Sequence, residues 1–113
     1  QGTRTAGLHP PQTKQQELWE PLFVKHGVRL VLQGHNHLYE RIRHKDVTYV
    51  TTGGGGYSAL YPCSRKTEGL VLCNPIHHFL MVEATPTKIG VRAIKATGAV
   101  IDRFRIALTP PAA

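Results

Sequence analysis

Gly34-His35-Asn36-His37 is the chain's densest grouping of side chains able to do chemistry. In an extended stretch, residues two apart point to the same face. His35 and His37 then aim both imidazoles at one place, or at two metals a few Å apart. Gly34 lets the backbone turn sharply before them and adds no side chain to crowd them. Neutral imidazole is a common ligand for Zn, Fe and Mn. Taken alone, a His-x-His pair in a loop is more often a pair of surface or core residues.

Other residues invite the same question. His77 and His78 stand at a strand start, where one is expected buried and hydrogen-bonded and the other exposed; His26 and His44 read as surface residues. Gly53-Gly54-Gly55-Gly56 has the look of a phosphate cradle. No Lys-Ser or Lys-Thr follows it and no helix starts there, so a tight backbone passage beside the His loop is the better reading. Cys63 and Cys73 lie ten apart and form no Cys-x-x-Cys motif. A disulfide closing one loop and two unpaired thiols both remain open.

The elements that must position these groups follow from periodicity and turn chemistry. Residues 1–11 are polar, carry Gly2, Gly7 and Pro10-Pro11, and read as a lead-in loop. Thr13 and Gln16 form a capping-box pattern at a helix start. Leu18 with Leu22, and Trp19 with Phe23, recur at i, i+4 and make an apolar face expected to pack on a sheet. Pro21 is expected to kink the helix or restart it with Glu20 as cap. Gly27 suits its C-terminal end.

Residues 28–32 then read as a buried strand, which places the His pair just past its carboxyl end, where α/β sheets put their chemistry. Residues 38–44 alternate, Lys45-Asp46 is a turn, and 47–52 are rich in β-branched and aromatic residues. Residues 57–75 show no period and read as a long loop. Residues 76–85, 88–96 and 99–108 read as an antiparallel meander, with Pro86-Thr87 and Thr97-Gly98 as turns. Residues 109–113 form a Pro-Ala tail expected to fray.

Composition sets the outer bounds. The 113 residues suffice for one small domain, and 41% hydrophobic with 19% charged residues fits a folded chain. No apolar run approaches the roughly 20 residues that span a bilayer. The net charge of +7 favours anionic partners, but the basic residues are scattered and not interleaved with aromatics, so nucleic acid is not expected as a partner. Residues 1–5 hold neither an initiator Met nor an apolar leader, so the chain reads as starting partway through something longer.

The run Val28-Arg29-Leu30-Val31-Leu32-Gln33-Gly34-His35-Asn36-His37-Leu38-Tyr39-Glu40-Arg41 resembles the final metal motif of the calcineurin-like metallophosphoesterase superfamily. It is most similar to the purple acid phosphatase-like branch, where Gly-His-x-His is followed by an aromatic-Glu-Arg triplet. Val47-Thr48-Tyr49-Val50 leading into the four glycines resembles the strand end that follows that motif. His77-His78-Phe79-Leu80 and Gly98-Ala99-Val100-Ile101-Asp102-Arg103-Phe104 resemble its closing strands. The resemblance implies that His35 ligates one metal of a dinuclear Fe, Zn or Mn centre and His37 the other, and that the pair activates water against a phosphate ester. Tyr39, Glu40 and Arg41 are then strand residues or supports behind the ligands, and Asn36 has no assigned role. His9 with Pro10 looks like a further family ligand, but no apolar strand precedes it, which places it in a loop after the true ligand position.

The departures from the family pattern are large. Its Asp-x-His, Gly-Asp-x-x-Asp and Gly-Asn-His motifs are absent, and the only Asp and Asn residues, Asp46, Asp102, Asn36 and Asn74, fall in none of them. Two imidazoles do not hold two such cations tightly, since catalytic zinc sites use at least three protein ligands. The expectation is therefore an α/β chain spanning residues 1–113 as a single partial domain: the C-terminal half of a four-layer α-β-β-α sandwich, one helix plus a mostly antiparallel sheet. Its expected function is that of a piece of a metal-dependent phosphoesterase, inactive alone. The competing reading is a non-catalytic half-domain for interaction or oligomerisation. Expected partners are a phosphate ester in the parent, and the missing N-terminal half or a second copy of the chain; no membrane is expected. The two Cys and the family branch suggest a secreted or periplasmic protein.

Overall fold

The computed structural model describes residues 2–56 and 59–108; the tail 109–113 expected to fray lies outside the described residues. Among the described residues, one helix, α1 (Thr13–Lys25), precedes seven strands: β1 (Leu30–Gln33), β2 (Tyr39–His44), β3 (Val47–Thr52), β4 (Leu70–Asn74), β5 (His78–Ala84), β6 (Lys88–Lys95) and β7 (Val100–Ala107). The first sheet has the order β1-β3-β2-β4, and the second β5-β6-β7. Only β1 and β3 run parallel; every other pairing is antiparallel. The α/β class with one helix and mostly antiparallel strands stands as expected, with the strands divided between two sheets rather than gathered in one. No helix among the described residues is long and apolar enough to cross a membrane.

Strand alternation sorts the side chains into layers. One face of the first sheet sends Tyr39 and Val50 against Ala93 of the second, with Leu30, Leu72, Leu80, Ile101 and Phe104 packed around them. The other face sends Ile42, Val47 and Tyr49 toward α1, where Phe23 and Val31 join them. The β2–β3 turn fixes this register. Lys45 and Asp46 both take positive φ, 49° and 61°, the two-residue geometry whose twist matches a hairpin.

Several helix expectations need correction. α1 runs through Pro21 as one element, so Glu20 caps no second helix. Glu20 is instead buried and accepts from Arg4 Nε and Nη2 at 3.0 and 2.9 Å, a tie that holds the helix to the lead-in. The Thr13/Gln16 capping box does not form. Gln12 is the N-cap, and Gln16 Nε2 donates to Thr3 O at 2.8 Å, because the buried lead-in offers it a carbonyl. Phe23 packs against Tyr49, ring centroids 6.4 Å apart, but Trp19 is 47% exposed and Leu18 and Leu22 more so. The loop expected over 57–75 also contains a strand. β4 pairs antiparallel with β2, and the Cys63–Cys73 disulfide ties its far end to the loop before it. That settles the open cysteine question in favour of the disulfide.

Candidate functional site

β1 ends at Gln33 and β2 begins at Tyr39, so residues 34–38 form the turn at the carboxyl end of β1, as the sequence placed it. The turn is not extended. His35 sits at φ 76°, in the left-handed region. Its ring stacks on His9 at 3.9 Å between centroids, whereas the His37 ring stacks on Tyr61 at 4.2 Å. His9 meets Tyr61 edge-on at 5.1 Å, so four rings make one aromatic cluster. His37 Nδ1 lies 2.9 Å from Ala59 O. Burial, and then the neighbouring His9, hold the His35 imidazole below its ordinary pKa.

Asn36, given no role by sequence, is the organiser of this turn. It is 2% exposed, accepts from His9 N at 2.8 Å through Oδ1, and donates through Nδ2 to Thr5 Oγ1 and His9 O at 2.8 and 3.0 Å. A buried amide with three partners is close to satisfied. Two glycines make room for it. A Cβ on Gly7 would lie 2.5 Å from Asn36 Cγ, and one on Gly53 would lie 2.1 Å from Asn36 O. The four-glycine run thus begins as the tight passage expected of it.

The Tyr39-Glu40-Arg41 triplet divides between the two faces of the sheet. Glu40, fully buried, accepts from Ala6 N at 3.0 Å and Thr5 Oγ1 at 3.1 Å and is also bonded by Thr51; burial pushes its carboxyl up from the ordinary value. The carboxylate therefore clamps the lead-in onto the first sheet. On the opposite face, Asp102 of β7 accepts from the Tyr39 hydroxyl and from Arg41 Nε and Nη2 at 2.8 and 3.1 Å. Arg41 also lies 4.7 Å over the Phe104 ring. His78, buried as one of the His77/His78 pair was expected to be, donates from Nδ1 to Ile76 O and accepts at Nε2 from the Thr52 hydroxyl, both at 2.8 Å. His77 is half-buried rather than exposed.

The structure brings His9, His35 and His37 together, but by ring stacking and not by convergence of ring nitrogens. Among the described residues, no three His, Cys, Asp or Glu side chains are grouped so as to hold a metal. Glu40 faces the lead-in and Asp102 faces Arg41, so neither carboxylate serves as the bridge a dinuclear centre needs. The residues of this chain alone do not fit such a centre. The sequence missed Asn36, Glu40 and Asp102 as organisers. The signal available was scarcity: two Asn and two Asp in 113 residues, one of each placed where it orders a network.

No family model matches the chain, and no curated protein matches its sequence. Among solved structures, GAP50, the anchor in the inner membrane complex of Plasmodium, matches with a TM-score of 0.86 at 20% identity, over 96% of this chain and 35% of that one. A single mutant of Vps29 from Entamoeba histolytica matches with a TM-score of 0.46 at 18% identity, over 83% of this chain and 47% of that one. This chain spans about a third of the GAP50 chain. The assignment to the purple acid phosphatase-like branch of the metallophosphoesterases, expected from the Gly-His-Asn-His run, is corrected by these findings. No family model and no curated sequence supports that assignment, and at 20% identity the likeness to GAP50 is one of fold alone.

Proposed function

We propose that the chain is a non-catalytic half-domain that works by docking another polypeptide against α1 and the open edge of β1. The observation carrying this reading is the row of apolar side chains left on one helix face. Leu18, Trp19 and Leu22 are 67%, 47% and 50% exposed, and Leu32 of edge strand β1 is 51% exposed. Leu32 lies on the face of β1 turned toward the second sheet and not toward α1, so the two exposures are separate, but monomeric proteins rarely leave both an apolar helix face and an unpaired strand edge uncovered. The occupant is a polypeptide supplying the strand beside β1, as the remainder of a longer sandwich would. The fold likeness to an anchor, of which this chain spans about a third, supports a binding role.

The Cys63–Cys73 disulfide supports an oxidising compartment, hence export. Metal ligation by His35 and His37 is a separate proposal. It needs carboxylates from outside this chain, and no hydrolytic step is assigned to the residues present.

Sedimentation and crosslinking of the chain with and without Leu18→Glu/Leu22→Glu test the docking reading. The wild-type chain should self-associate or capture an added N-terminal polypeptide of the parent, and the variant should do neither while keeping its circular dichroism spectrum. A monodisperse wild-type monomer that binds no such polypeptide would sink the proposal. Self-association that survives both substitutions would move the interface elsewhere and sink it equally.

A further inference from the structure

The second sheet has one face turned to the first sheet and one turned away. Leu80, Ala93 and Phe104 pack against the first sheet, so the residues beside them in each strand point outward. The register sets those outward side chains in rows. Phe79, Ile94 and Val100 lie opposite one another across β5, β6 and β7. The next row is Met81, Arg92 and Arg103, and the one after it Glu83, Gly90 and Arg105. We propose that this face docks an amphipathic helix of a partner polypeptide, its apolar stripe over the first row and its carboxylates over the arginines.

Two observations carry the proposal. Phe79 is 51% exposed, and Met81 and Val100 are 43% exposed, with Ile94 half-buried between Phe79 and Val100. Beside this apolar row the charge is one-sided. Arg92 stands directly opposite Arg103, a like-charge pairing that destabilises an antiparallel ladder. Glu83 approaches only Arg92, at 3.7 Å, from a side chain that is well exposed, a contact that water and salt weaken. Arg103 and Arg105 have no ion pair among the described residues. Gly90 leaves a hollow between Glu83 and Arg105, within a cleft of about 300 Å³. A Cβ there would meet nothing nearer than Glu83 O at 3.9 Å, so the hollow is open to a partner's side chain.

The same features choose the occupant. A second copy of the chain would set arginines against arginines. A strand does not pair with a sheet's face, whereas a helix lays an apolar stripe on one, as α1 does on the first sheet. Alternate residues of a strand are roughly 7 Å apart and a helix rises about 1.5 Å per residue, so a helix lying along the strands carries its carboxylates about four or five residues beyond its apolar contacts. The face is separate from α1 and from the edge of β1, both of which belong to the first sheet's side of the molecule.

The test uses the full chain carrying Leu18→Glu/Leu22→Glu, so that docking at α1 does not enter the result. The probe is a dye-labelled synthetic helix of Leu, Ala and Glu with that spacing, followed by fluorescence anisotropy. Saturable binding is expected. Arg103→Gln/Arg105→Gln and, separately, Phe79→Thr/Met81→Thr should each weaken it about tenfold or more, and so should Lys in place of each Glu of the peptide. The peptide change leaves the chain untouched, so it tests the face even where a variant fails to fold. Arg43→Gln/Lys66→Gln makes the same change of net charge as the arginine variant, elsewhere on the surface, and should leave binding within about twofold. Equal losses in the two charge variants would reduce the effect to overall charge and overturn the site. No saturable binding, or a Lys peptide that binds as well as the Glu peptide, would overturn it too. So would self-association in this background that Phe79→Thr/Met81→Thr abolishes, because the face would then belong to a second copy.

Discussion

Removing the Asp102 carboxylate should unlatch the two sheets. Among the described residues, Asp102 is the one acceptor through which β2 reaches β7 with charged side chains: it takes two bonds from Arg41 and one from the Tyr39 hydroxyl. Its side chain is 8% exposed and that of Arg41 22%. Breaking a buried pair from one side costs about 3–5 kcal/mol, because the remaining charge is stranded. Water reaches part of the Arg41 fork, which argues for the lower end. The Tyr39 phenol is fully buried, and its loss of a partner adds about 1–3 kcal/mol on its own. The two losses share one acceptor and do not add in full. Asp102→Ala should therefore destabilise by about 3–4 kcal/mol in urea unfolding followed by circular dichroism. At roughly 4–8 °C per kcal/mol for a domain near this size, the melting temperature should fall by about 12–30 °C. The double variant Arg41→Met/Asp102→Leu, which removes both charges and keeps apolar volume, should recover to within about 2 kcal/mol of wild type. A loss below about 1 kcal/mol in Asp102→Ala would refute the clamp and demote it to an ordinary surface pair. A double variant as unstable as Asp102→Ala would show that the volume, and not the stranded charge, carried the effect.

Glu40 carries a pH dependence of definite sign. Its folded pKa is raised by burial, so its contribution is fully present below the ordinary carboxylate range and is lost as pH rises through the folded value. Glu40→Gln, neutral throughout, should lose about 1 kcal/mol of hydrogen bonding at low pH and gain on wild type as pH rises; parallel stability curves from pH 4 to pH 8 would contradict the burial argument. Zinc titration of the isolated chain should give only weak binding, with a Kd of about 10 μM or above, since two stacked imidazoles form no complete site. A tight one-to-one zinc complex abolished by His35→Ala would show that ring stacking gives way to ligation.

The strand plan was legible because period and turn chemistry agree there. Val47–Thr52 was readable to the residue, since β-branched and aromatic side chains run between a two-residue turn and a glycine. The meander was readable for the same reason, and so was the placement of the His turn beyond β1. β4 was missed because Leu70-Val71-Leu72 is short and sits in a stretch dominated by turn residues and both cysteines. What makes it a strand is pairing with β2, a long-range fact. α1 misled in the opposite direction. Its i, i+4 apolar pairs were read as a core face, but periodicity reports that a face is apolar and not that this chain covers it. At the His turn, the premise of an extended backbone failed on one angle. Two residues apart means one face only where the chain is extended, and His35 at φ 76° breaks that premise.

The exposed helix face and the His turn bear on one another. The lead-in is clamped between them, by Arg4 to Glu20 of the helix and by Thr5 and Ala6 to Glu40 of β2, while Asn36 holds His9 and Thr5. Residues that a catalytic reading would assign to supporting a metal are occupied here in fixing a backbone segment. A buried polar network rigidifies what it joins, although Glu20 Oε2 at the helix end of this one finds no donor. Its effect in this chain is to hold residues 2–9 in one path across the end of the first sheet, beside the open edge of β1. That is what a docking surface requires: apolar area on α1, an unpaired strand edge, and a stiff border between them.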